Sequence, residues 1–478
     1  MERQWTRQLI VTVAVSCIAS LQYGYHMSEL NGPSAVLSCQ ANVPLPGVPY
    51  DSTWLSRLGL KPCLTMDEQG VGLVTSVFSI GGLVGSLYAG WLSGVVGRKF
   101  SMAINGVVFV IGSVIEGVSN HIAVLVLGRL ISGLAAGCSI VVTPLMISEV
   151  SPAGLRGLLG SMNQVCINLG ILLTQVLAVR WANSIQWRYL LFTGALLGLV
   201  NSIAVVLIDE SPKWLALKGR DAEAKAAILR LRGDPNSVAD EFRRYSNVED
   251  QQQLIASESA TGSNGKAPNV SLKQYVSDPN YENSRLVVIT VLAGQQFCGI
   301  NSIIFYGVNT IRKLLPQYAV IINCLISLGN AVITFIAAPF VDEYGRKPCL
   351  ITSVSTMAAA SALMAIGIVF SISVLSVLAT FVYVAAFAIG LGPIPFLLIS
   401  EVTQEEAIST AQSYGTVVNW IATFLIGFLF PIVDGWIGGY VYFAFAIICL
   451  LFVSFVMNKL PETKGHKNYD SVWNIRVD

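Results

Sequence analysis

The chain has 478 residues, of which 54% are hydrophobic and 12% are charged. Soluble domains carry about 25% charged residues, so these proportions exclude a soluble enzyme of this size. The net charge of +1 excludes a general electrostatic attraction to nucleic acid. The three histidines and nine scattered cysteines lack the spacing of metal ligands, and we expect neither a metal nor another cofactor. The composition therefore predicts a protein embedded in a lipid bilayer.

Long apolar runs along the chain predict an all-α membrane protein. A bilayer crossing requires about 20 mostly apolar residues. Twelve such runs occur, near 8–30, 70–92, 101–119, 122–145, 158–180, 189–209, 285–311, 318–341, 348–370, 373–399, 409–432 and 437–458. They form two groups of six. We expect an N-terminal six-helix bundle, a cytosolic helical and flexible linker, a C-terminal six-helix bundle and a short cytosolic tail at 1–212, 213–284, 285–460 and 461–478.

Basic residues predict the orientation of the spans, because cytosolic loops are rich in Lys and Arg. One side of a twelve-span count carries both termini, the linker and most of the basic residues at helix ends, namely Arg3, Arg7, Arg98, Lys99, Arg156, Arg346 and Lys347. We therefore expect both termini in the cytosol. The long loop at 33–68 lies on the other side, where Cys39 and Cys63 form a disulfide or remain two free thiols.

Charged motifs recur at nearly constant offsets in the two groups of spans. The offsets are 248, 252 and 252 residues in the pairs Gly97 and Gly345, Glu149 and Glu401, and Glu210 and Glu462. A constant offset indicates a parallel duplication whose halves rock about a central site. Each glycine precedes an arginine, Arg98 or Arg346, and an Arg–Glu pair between neighbouring helices must break for the cytosolic side to open. The alternative is that these charges only anchor helix ends in the headgroup region.

Amide side chains within the spans indicate the chemistry of the cargo. The seventh span contains Gln295, Gln296 and Asn301, and three other spans contain Gln164, Asn330 and Asn419. Amides both donate and accept hydrogen bonds, which suits the hydroxyl groups of a sugar, whereas an ionic cargo calls for a fixed opposite charge. For any single amide, a hydrogen bond between helices is the competing interpretation. Together, amides on four spans favour a neutral polyhydroxyl ligand.

The tenth span contains helix-breaking residues in the sequence AIGLGPIPF at 388–396. Pro393 and Pro395 each remove a backbone donor, and unsatisfied backbone at membrane depth is tolerated only against protein or water. The segment is thus predicted to be a hinge or gate that lines the pathway, with Phe387 and Phe396 as apolar faces for a sugar ring. An ordinary proline kink is the alternative.

Two ionisable residues lie deep within the first and fourth spans. Arg129 requires a partner or water at that depth. His26 is followed one turn later by Glu29, and histidine titrates in the physiological range, so His26 is a candidate proton site. A hydrogen-bonded histidine with only a structural role is the alternative.

The chain resembles the sugar porters of the major facilitator superfamily along nearly its whole length. The resemblance rests on the order and spacing of GxxxxxxGRK at 90–99, GR at 128–129, SEVSPxxLRG at 148–157, NQVCINLGIL at 163–172, ESPKWL at 210–215, QQFCGINSIIFY at 295–306, DEYGRK at 342–347, GPIPF at 392–396, NW at 419–420 and PETKG at 461–465. It implies two pseudo-symmetric six-helix bundles, a cytosolic helical subdomain and alternating-access transport.

The resemblance also assigns roles to residues of this chain. Sugar contacts would be made by Gln164, Gln295, Gln296, Asn301, Asn330 and Asn419, with Phe387 and Phe396 lining the site. The cytosolic charge network would consist of Arg98, Glu149, Arg156, Glu210, Arg346 and Glu401.

Four positions depart from the family pattern. His26 replaces an aspartate that many proton-coupled members pair with the arginine corresponding to Arg129. Gly94, Ala388 and Ile408 replace polar or charged residues. Glu405 and Glu406 precede Ile408, and their repulsion near Glu401 predicts a looser second charge pair.

The expected function is transport of a hexose-like sugar or polyol, by facilitated diffusion or linked to protons. The alternative is a sugar sensor that binds without transport, which the short tail disfavours. No paired nucleophile and base, and no paired carboxylates, indicate an enzyme. Closer similarity to fungal sugar-porter-like proteins of internal membranes favours a vacuolar or lysosome-like membrane over the plasma membrane. Asp250 four residues before Leu254-Ile255 fits a signal read by sorting adaptor proteins.

Overall fold

A computed structural model describes residues 5–45, 47–235, 238–243, 245, 270–465 and 469–473. The secondary structure of these residues is helical. The helices used below are α1 Arg7–Ser28, α2 Glu68–Val96, α3 Arg98–Gly117, α4 Ile122–Val150, α5 Arg156–Trp181, α6 Trp187–Ala204, α7 Pro212–Leu217, α8 Asp221–Arg232, α9 Leu272–Ser277, α10 Glu282–Phe297, α11 Ile300–Arg312, α12 Ala319–Tyr344, α13 Arg346–Val369, α14 Ser373–Ile389, α15 Ile394–Val402, α16 Ile408–Ile437 and α17 Val441–Lys459.

The described helices account for the twelve predicted crossings. Eleven segments are long and apolar enough to cross a membrane, and one of them, Ile408–Lys459, contains both α16 and α17. Two crossings each consist of two consecutive helices, α10 with α11 and α14 with α15. The sequence predicted the interruption of the tenth crossing at its prolines but treated the seventh as continuous. The prediction of an all-α, multi-pass membrane protein with two six-helix bundles is confirmed.

Small residues set the close packing within the N-terminal half, α1–α6. A Cβ at Gly24 of α1 would collide with the backbone of Ile167 in α5, and one at Gly81 of α2 would collide with Leu130 in α4. In lipid, such close approach supplies the van der Waals contact that the hydrophobic effect does not provide between helices. These contacts hold α1, α2, α4 and α5 at fixed separations and thereby position the side chains that face the interior.

The two halves, α1–α6 and α10–α17, meet mainly on one side of the molecule. We name the side with the chain ends the terminus face and the opposite side, with the loop at 29–67, the loop face. Near the loop face, Asn31 donates to the carbonyl of Ile304 at 2.8 Å and accepts from the amide of Val308 at 3.0 Å. Asn323 of α12 donates to Gln175 of α5 at 2.9 Å. These hydrogen bonds hold the halves together at the loop face.

Burial along α5 and α16 shows how the contact between the halves changes with depth. On α5, a buried stripe runs from Ile167 to Ala178, whereas residues 160–166, nearer the terminus face, are all half-buried or exposed. On α16, residues 416–419 are likewise half-buried, while Trp420 and the following turns are largely buried. The cleft between the halves therefore widens toward the terminus face.

The predicted linker is attached to both halves. Its first helices contact the N-terminal half, since Arg232 of α8 donates to the carbonyl of Val150 at 2.7 Å and Thr6 donates to the carbonyl of Leu231 at 2.8 Å. Its last part contacts the C-terminal half, where Tyr281 donates to Glu406 at 2.9 Å. The sorting signal predicted at 250–255 lies outside the described residues.

The loop face contains one disulfide among the described cysteines, between Cys39 and Cys63. The sequence left this pair undecided between a disulfide and two thiols. The bond joins the segment after α1 to the segment before α2, and a backbone hydrogen bond from Leu64 to Leu37 at 2.8 Å lies beside it.

Candidate functional site

The break in the seventh crossing places three amide side chains at the centre of the molecule. Gly299 between α10 and α11 has φ +102°, a conformation that favours glycine, and a Cβ there would also collide with the ring of Phe445. Gln295 and Gln296 lie in the last turn of α10, and Asn301 is the second residue of α11. The break therefore lies between these amides, and Asn301 donates across it to Gln296.

Four of the predicted sugar-contacting residues form one hydrogen-bonded chain, which we name the amide network: Asn301, Gln296, Gln295 and Asn419. Asn301 donates to Gln296 at 2.6 Å and Gln296 donates to Gln295 at 3.1 Å. Asn419 of α16 donates to the same Gln295 oxygen at 2.9 Å. The structure thus joins residues of three helices that the sequence could only name separately.

One acceptor of the amide network has no partner. The side chain of Asn301 is nearly fully buried, and its Oδ1 atom makes no hydrogen bond. Buried acceptors are normally satisfied, and leaving one free costs about 1–3 kcal/mol. A hydroxyl donor placed beside Asn301 would remove this cost, so the position fits one hydrogen bond from a polyhydroxyl ligand.

The break in the tenth crossing lies against the amide network. Gln295 donates to the carbonyls of Leu391 and Gly392 at 2.9 and 3.1 Å. The carbonyl of Leu391 has no helical donor, because Pro395, four residues later, lacks an N–H group. Phe387 and Phe396, on either side of this break, are half-buried. The amide network is therefore hydrogen-bonded to the backbone of the predicted hinge.

The remaining two predicted sugar residues lie outside the amide network. Asn330 of α12 donates to Asn168 of α5 at 3.4 Å, and Asn168 donates to Thr334 at 2.8 Å, so this group connects the two halves. Gln164 of α5 is half-buried, and its side chain makes no hydrogen bond to the described residues. The sequence analysis did not single out Asn168, although it lies in the same NQVCINLGIL motif and its position within an apolar span was the available signal.

A charge network holds the helix ends of the N-terminal half at the terminus face. Arg98 at the start of α3 makes two hydrogen bonds to Glu149 at the end of α4, at 2.8 and 2.9 Å, and Ser211 donates to the same carboxylate at 2.6 Å. Glu210 accepts the backbone amides of Arg98 and Lys99 at 2.9 and 3.1 Å. Glu210 thus binds the otherwise unsatisfied donors at the N-terminus of α3.

Burial and these backbone hydrogen bonds have opposite effects on Glu210, which lies beyond the membrane-spanning part of α6. Burial raises the pKa of the Glu210 carboxyl above its ordinary value, and the donors from Ser211, Lys99 and Arg98 partly offset the increase. A carboxylate that accepts several N–H groups at a helix N-terminus is the form these contacts favour.

The C-terminal half repeats this geometry. Arg346 at the start of α13 contacts Glu401 at the end of α15, with the closest nitrogen–oxygen distance 2.9 Å, and Thr463 donates to Glu401 at 2.5 Å. Glu462 accepts the backbone amides of Arg346 and Lys347, each at 3.0 Å. The charge pair is intact, and Glu406 is hydrogen-bonded to Tyr281 instead of competing for Arg346.

Two expectations about the charge network are changed by the structure. Each arginine–glutamate pair lies within its own half, Arg98–Glu149 in the first and Arg346–Glu401 in the second. Both pairs are intact although the cleft widens toward the terminus face. Neither pair therefore has to break for the cleft to widen on that side. Arg156 is exposed at the start of α5, and its side chain makes no ion pair within the described chain. Arg156 therefore does not belong to the network in this conformation.

A second group of ionisable residues, the buried charge cluster, lies inside the N-terminal half: His26, Glu29, Glu116 and Arg129. Arg129 donates to Glu29 at 2.5 Å and to the carbonyl of His26 at 2.9 Å, and His26 Nδ1 lies 3.0 Å from the Glu29 carboxylate. Ser132 donates to Glu116 at 2.7 Å. All four ionisable side chains are fully buried. The sequence analysis missed Glu116, an acid within the apolar run at 101–119.

The donor set of this cluster does not match a resident metal ion well. His26, Glu29 and Glu116 offer ligand atoms that lie within 4.8 Å of one another. However, Arg129 already holds Glu29, and a divalent cation placed there would be repelled by the guanidinium. The guanidinium and the carboxylates instead neutralise each other.

Three positions at which the sequence departs from the family pattern, Gly94, Ala388 and Ile408, lie in ordinary structural environments. The carbonyl of Gly94 accepts a hydrogen bond from the Trp214 indole at 2.9 Å, which fixes α7 against α2. Ala388 is buried near the end of α14, and Ile408 is the half-buried first residue of α16. None of the three side chains can make an ion pair.

Comparison with known proteins gives one consistent result. A sequence model described as "Sugar (and other) transporter" matches residues 12–473. A probable metabolite transport protein of Saccharomyces cerevisiae is 45% identical over 98% of this chain and 95% of its own length. The vacuolar protein sorting-associated protein 73 of the same yeast is 41% identical over 96% and 94%. A facilitated glucose transporter, member 2 of solute carrier family 2 from Gallus gallus, is 29% identical over 98% and 93%.

Solved structures are similar in fold. The inward-open conformation of the xylose transporter XylE from E. coli superposes with a TM-score of 0.77 at 21% identity, covering 98% of this chain and 99% of that one. Its partially occluded inward-open conformation gives 0.75 at 21% identity, covering 95% and 100%. At this identity the similarity establishes the major facilitator fold.

Proposed function

Since this chain belongs to the sugar transporter family of the major facilitator superfamily, we propose that it carries a hexose-like sugar or polyol across a membrane by alternating access. The observation that supports this cargo is the amide network, with its unpartnered Asn301 acceptor at the break in the seventh crossing. The network contains no charged side chain, and amides both donate to and accept from hydroxyl groups. The related proteins are transporters, and the chain is not an enzyme.

The proposed binding site lies between the halves, in the cleft that widens toward the terminus face. Gln295, Gln296, Asn301 and Asn419 supply one wall, and Phe387 and Phe396 supply apolar contacts for the ring carbons. Gln164 on α5 supplies a polar group from the N-terminal half, and Asn330 on α12 supplies one from the C-terminal half beside Asn168. XylE has been solved with 6-bromo-6-deoxy-D-glucose bound, and the proposal assigns a related kind of ligand to this chain.

The proposed gating follows from the contacts between the halves. In the conformation described, hydrogen bonds at Asn31 and Asn323 close the loop face. For the cleft to open on the loop face these bonds must break, and the terminus face must close. Arg156, exposed at the edge of the cleft, is then brought toward the acidic residues of the other half and joins the charge network that the sequence predicted.

The proposed orientation places both termini in the cytosol. The basic residues at the helix ends of the terminus face and the Cys39–Cys63 disulfide on the loop face support it. A vacuolar membrane is the proposed location, supported by the similarity to a yeast protein whose name refers to vacuolar sorting. The plasma membrane is the alternative, and adaptor binding at Asp250 and Leu254-Ile255 is part of the vacuolar proposal.

Reconstitution of the purified chain into proteoliposomes tests the proposal. Vesicles preloaded with unlabelled sugar should take up the same labelled sugar by counterflow, across a panel of hexoses, pentoses and polyols. Competition by one of these compounds is expected, and Asn301→Ala should weaken it by about tenfold. Binding of a sugar without counterflow would favour a sensor, and neither binding nor counterflow with any member of the panel would refute a sugar site.

A further inference from the structure

Two free cysteines of the N-terminal half lie against each other, Cys17 on α1 and Cys166 on α5. Their thiol groups form a side-chain hydrogen bond. Cys166 also packs against the buried apolar cluster that contains Cys17. In the described part of the chain, neither thiol is hydrogen-bonded to the amide network or to the charged residues discussed above. The proposed function therefore leaves this pair without a role.

Close packing of α1 and α5 holds the two thiols in place. A Cβ at Gly24 of α1 would collide with the carbonyl of Ile167, which directly follows Cys166 in α5. Ser20 donates to Asn163 at 2.5 Å, and these residues lie about one turn from the two cysteines. A disulfide forms without a rearrangement only where the backbone brings the two Cα atoms within about 7 Å. Two helices in backbone contact beside the cysteines are suited to this requirement.

The two thiols differ in their access to solvent. Cys166 is half-buried and lies in the stretch of α5 nearer the terminus face, whereas Cys17 is only 6% exposed. A small oxidant therefore reaches the sulfur of Cys166 first, and Cys17 lies behind it as a second thiol. A partly exposed cysteine beside a resolving cysteine is the arrangement typical of redox-sensitive sites.

The other free cysteines lack this combination of contact and access. In the C-terminal half, Cys449 of α17 donates to the carbonyl of Cys298 at 4.0 Å, and both side chains are fully buried. Cys324 of α12 is half-buried like Cys166, but its thiol does not interact with another described cysteine. These residues therefore serve as internal controls for the reactivity of Cys17 and Cys166.

We propose that Cys17 and Cys166 form a reversible disulfide when the protein meets hydrogen peroxide, and that this bond weakens the binding of sugar. The sulfur of Cys166 attacks one oxygen of the peroxide, the O–O bond breaks, and the departing hydroxide takes the thiol proton as water, which leaves a sulfenic acid. The sulfur of Cys17 then attacks the sulfur of Cys166, and the hydroxyl group leaves with the Cys17 proton as a second water. Two thiols are thus oxidised while one peroxide is reduced to two waters. A dithiol reductant restores both thiols by disulfide exchange.

The effect on sugar rests on the proposed function and follows from where α1 and α5 are in contact. An S–S bond is shorter than a hydrogen bond between two thiols, so its formation draws the two helices together at this depth. On the loop-face side the backbones are already in contact, because Gly170 leaves no room for a Cβ beside the carbonyl of Leu21. The shift is therefore confined to the half-buried stretch of α5 at 160–166, which includes Gln164. Displacement of Gln164 removes one of the proposed sugar contacts.

Mass spectrometry tests the bond without sugar and without any variant. The purified protein in lipid nanodiscs is treated with hydrogen peroxide, the remaining thiols are alkylated after denaturation, and the peptides are separated without reduction. We expect a cross-linked pair of peptides that contain Cys17 and Cys166, and its loss after treatment with thioredoxin. Cys298 and Cys449 should be recovered as alkylated thiols. Absence of the cross-linked pair at a peroxide concentration that oxidises Cys324 would overturn the assignment.

Counterflow tests the effect on transport. Peroxide should raise the sugar concentration for half-maximal counterflow by about fivefold in the wild type, since the loss of one hydrogen bond changes affinity by about this factor. Cys17→Ser and Cys166→Ser should keep their values in peroxide, whereas Cys324→Ser should respond like the wild type. An equal response in Cys17→Ser and the wild type would contradict the proposal, because the effect would then come from oxidation elsewhere.

The two measurements separate this inference from the proposed function. A cross-link with an unchanged half-maximal concentration supports the modification site and contradicts the link through Gln164. A cross-link in a protein that shows no counterflow with any sugar of the panel supports the modification site and contradicts the proposed carrier. Because the cross-link is measured on the wild type, a serine variant that fails to fold does not affect that test.

Discussion

In the N-terminal half, two carboxylates, a guanidinium and an imidazole meet inside the six-helix bundle, all fully buried. In the C-terminal half, no charged side chain among the described residues is buried to this extent, and α13, α14 and α17 meet through side chains such as Met357, Met364 and Tyr383. The amide network of that half is neutral and lies at the break between α10 and α11.

The two halves of the duplicated fold therefore share some features and differ in others. Both halves keep the same charge network at the terminus face, from Arg98 to Glu210 in one and from Arg346 to Glu462 in the other. In each half, this network binds the backbone amides at the start of one helix. The interiors differ: one holds a buried cluster of ionisable groups, and the other holds the neutral amide network.

The largest expected effect comes from removing the counter-charge of the buried cluster. Arg129→Gln leaves Glu29 and Glu116 together without a cation, which should lower the free energy of unfolding by about 3–5 kcal/mol. Thermal unfolding in detergent measures it. Adding Glu29→Gln should recover part of the loss, since a neutral side chain no longer needs the guanidinium. A single variant as stable as the wild type would show that the cluster is not a charge-balanced unit.

A smaller effect is expected in the amide network of the other half. Asn301→Ala removes the free acceptor and the donor to Gln296, and the loss of one to two hydrogen bonds should weaken sugar binding by about tenfold. Concentration dependence of counterflow gives this value. Asn458→Ala, an exposed amide that bonds only within α17, is the matched control. Equal affinities in both variants would remove Asn301 from the site.

The smallest effect concerns the part that the halves share. The side chains of Arg98 and Glu149 are 11% and 5% exposed, whereas those of Arg346 and Glu401 are 15% and 26% exposed. Because solvent screens the second pair more strongly, Arg98→Gln should destabilise the protein by about 1 kcal/mol more than Arg346→Gln. Thermal unfolding of the two variants side by side checks it. The opposite order would mean that burial does not distinguish the two networks.

Local features of the sequence predicted much of the fold. Apolar runs indicated twelve crossings, because the bilayer imposes its thickness on each segment independently of the others. The constant offset of the charged motifs indicated two related halves. The prolines at 393 and 395 marked the interruption of the tenth crossing, since their effect on the backbone is local.

Contacts between segments distant in the chain could not be predicted from the sequence. Six amides were named together, but only Gln295, Gln296, Asn301 and Asn419 bond to one another, whereas Asn330 bonds to Asn168 and Gln164 to none of them. The sequence analysis did not predict a role for Glu116, because an acid near the end of an apolar run is typical of a helix end. Only the packing of α1 and α4 against α3 shows that Glu116 is buried.

The sequence by itself therefore determined the class of protein, the number of crossings and the duplication, because hydropathy and motif spacing are read residue by residue along the chain. Only the tertiary structure decided that Cys39 and Cys63 are bonded, that the cleft widens toward the terminus face, and that Glu116 lies beside His26 and Glu29. These are relations between helices far apart in the chain, and they depend on which faces pack together in the bundle.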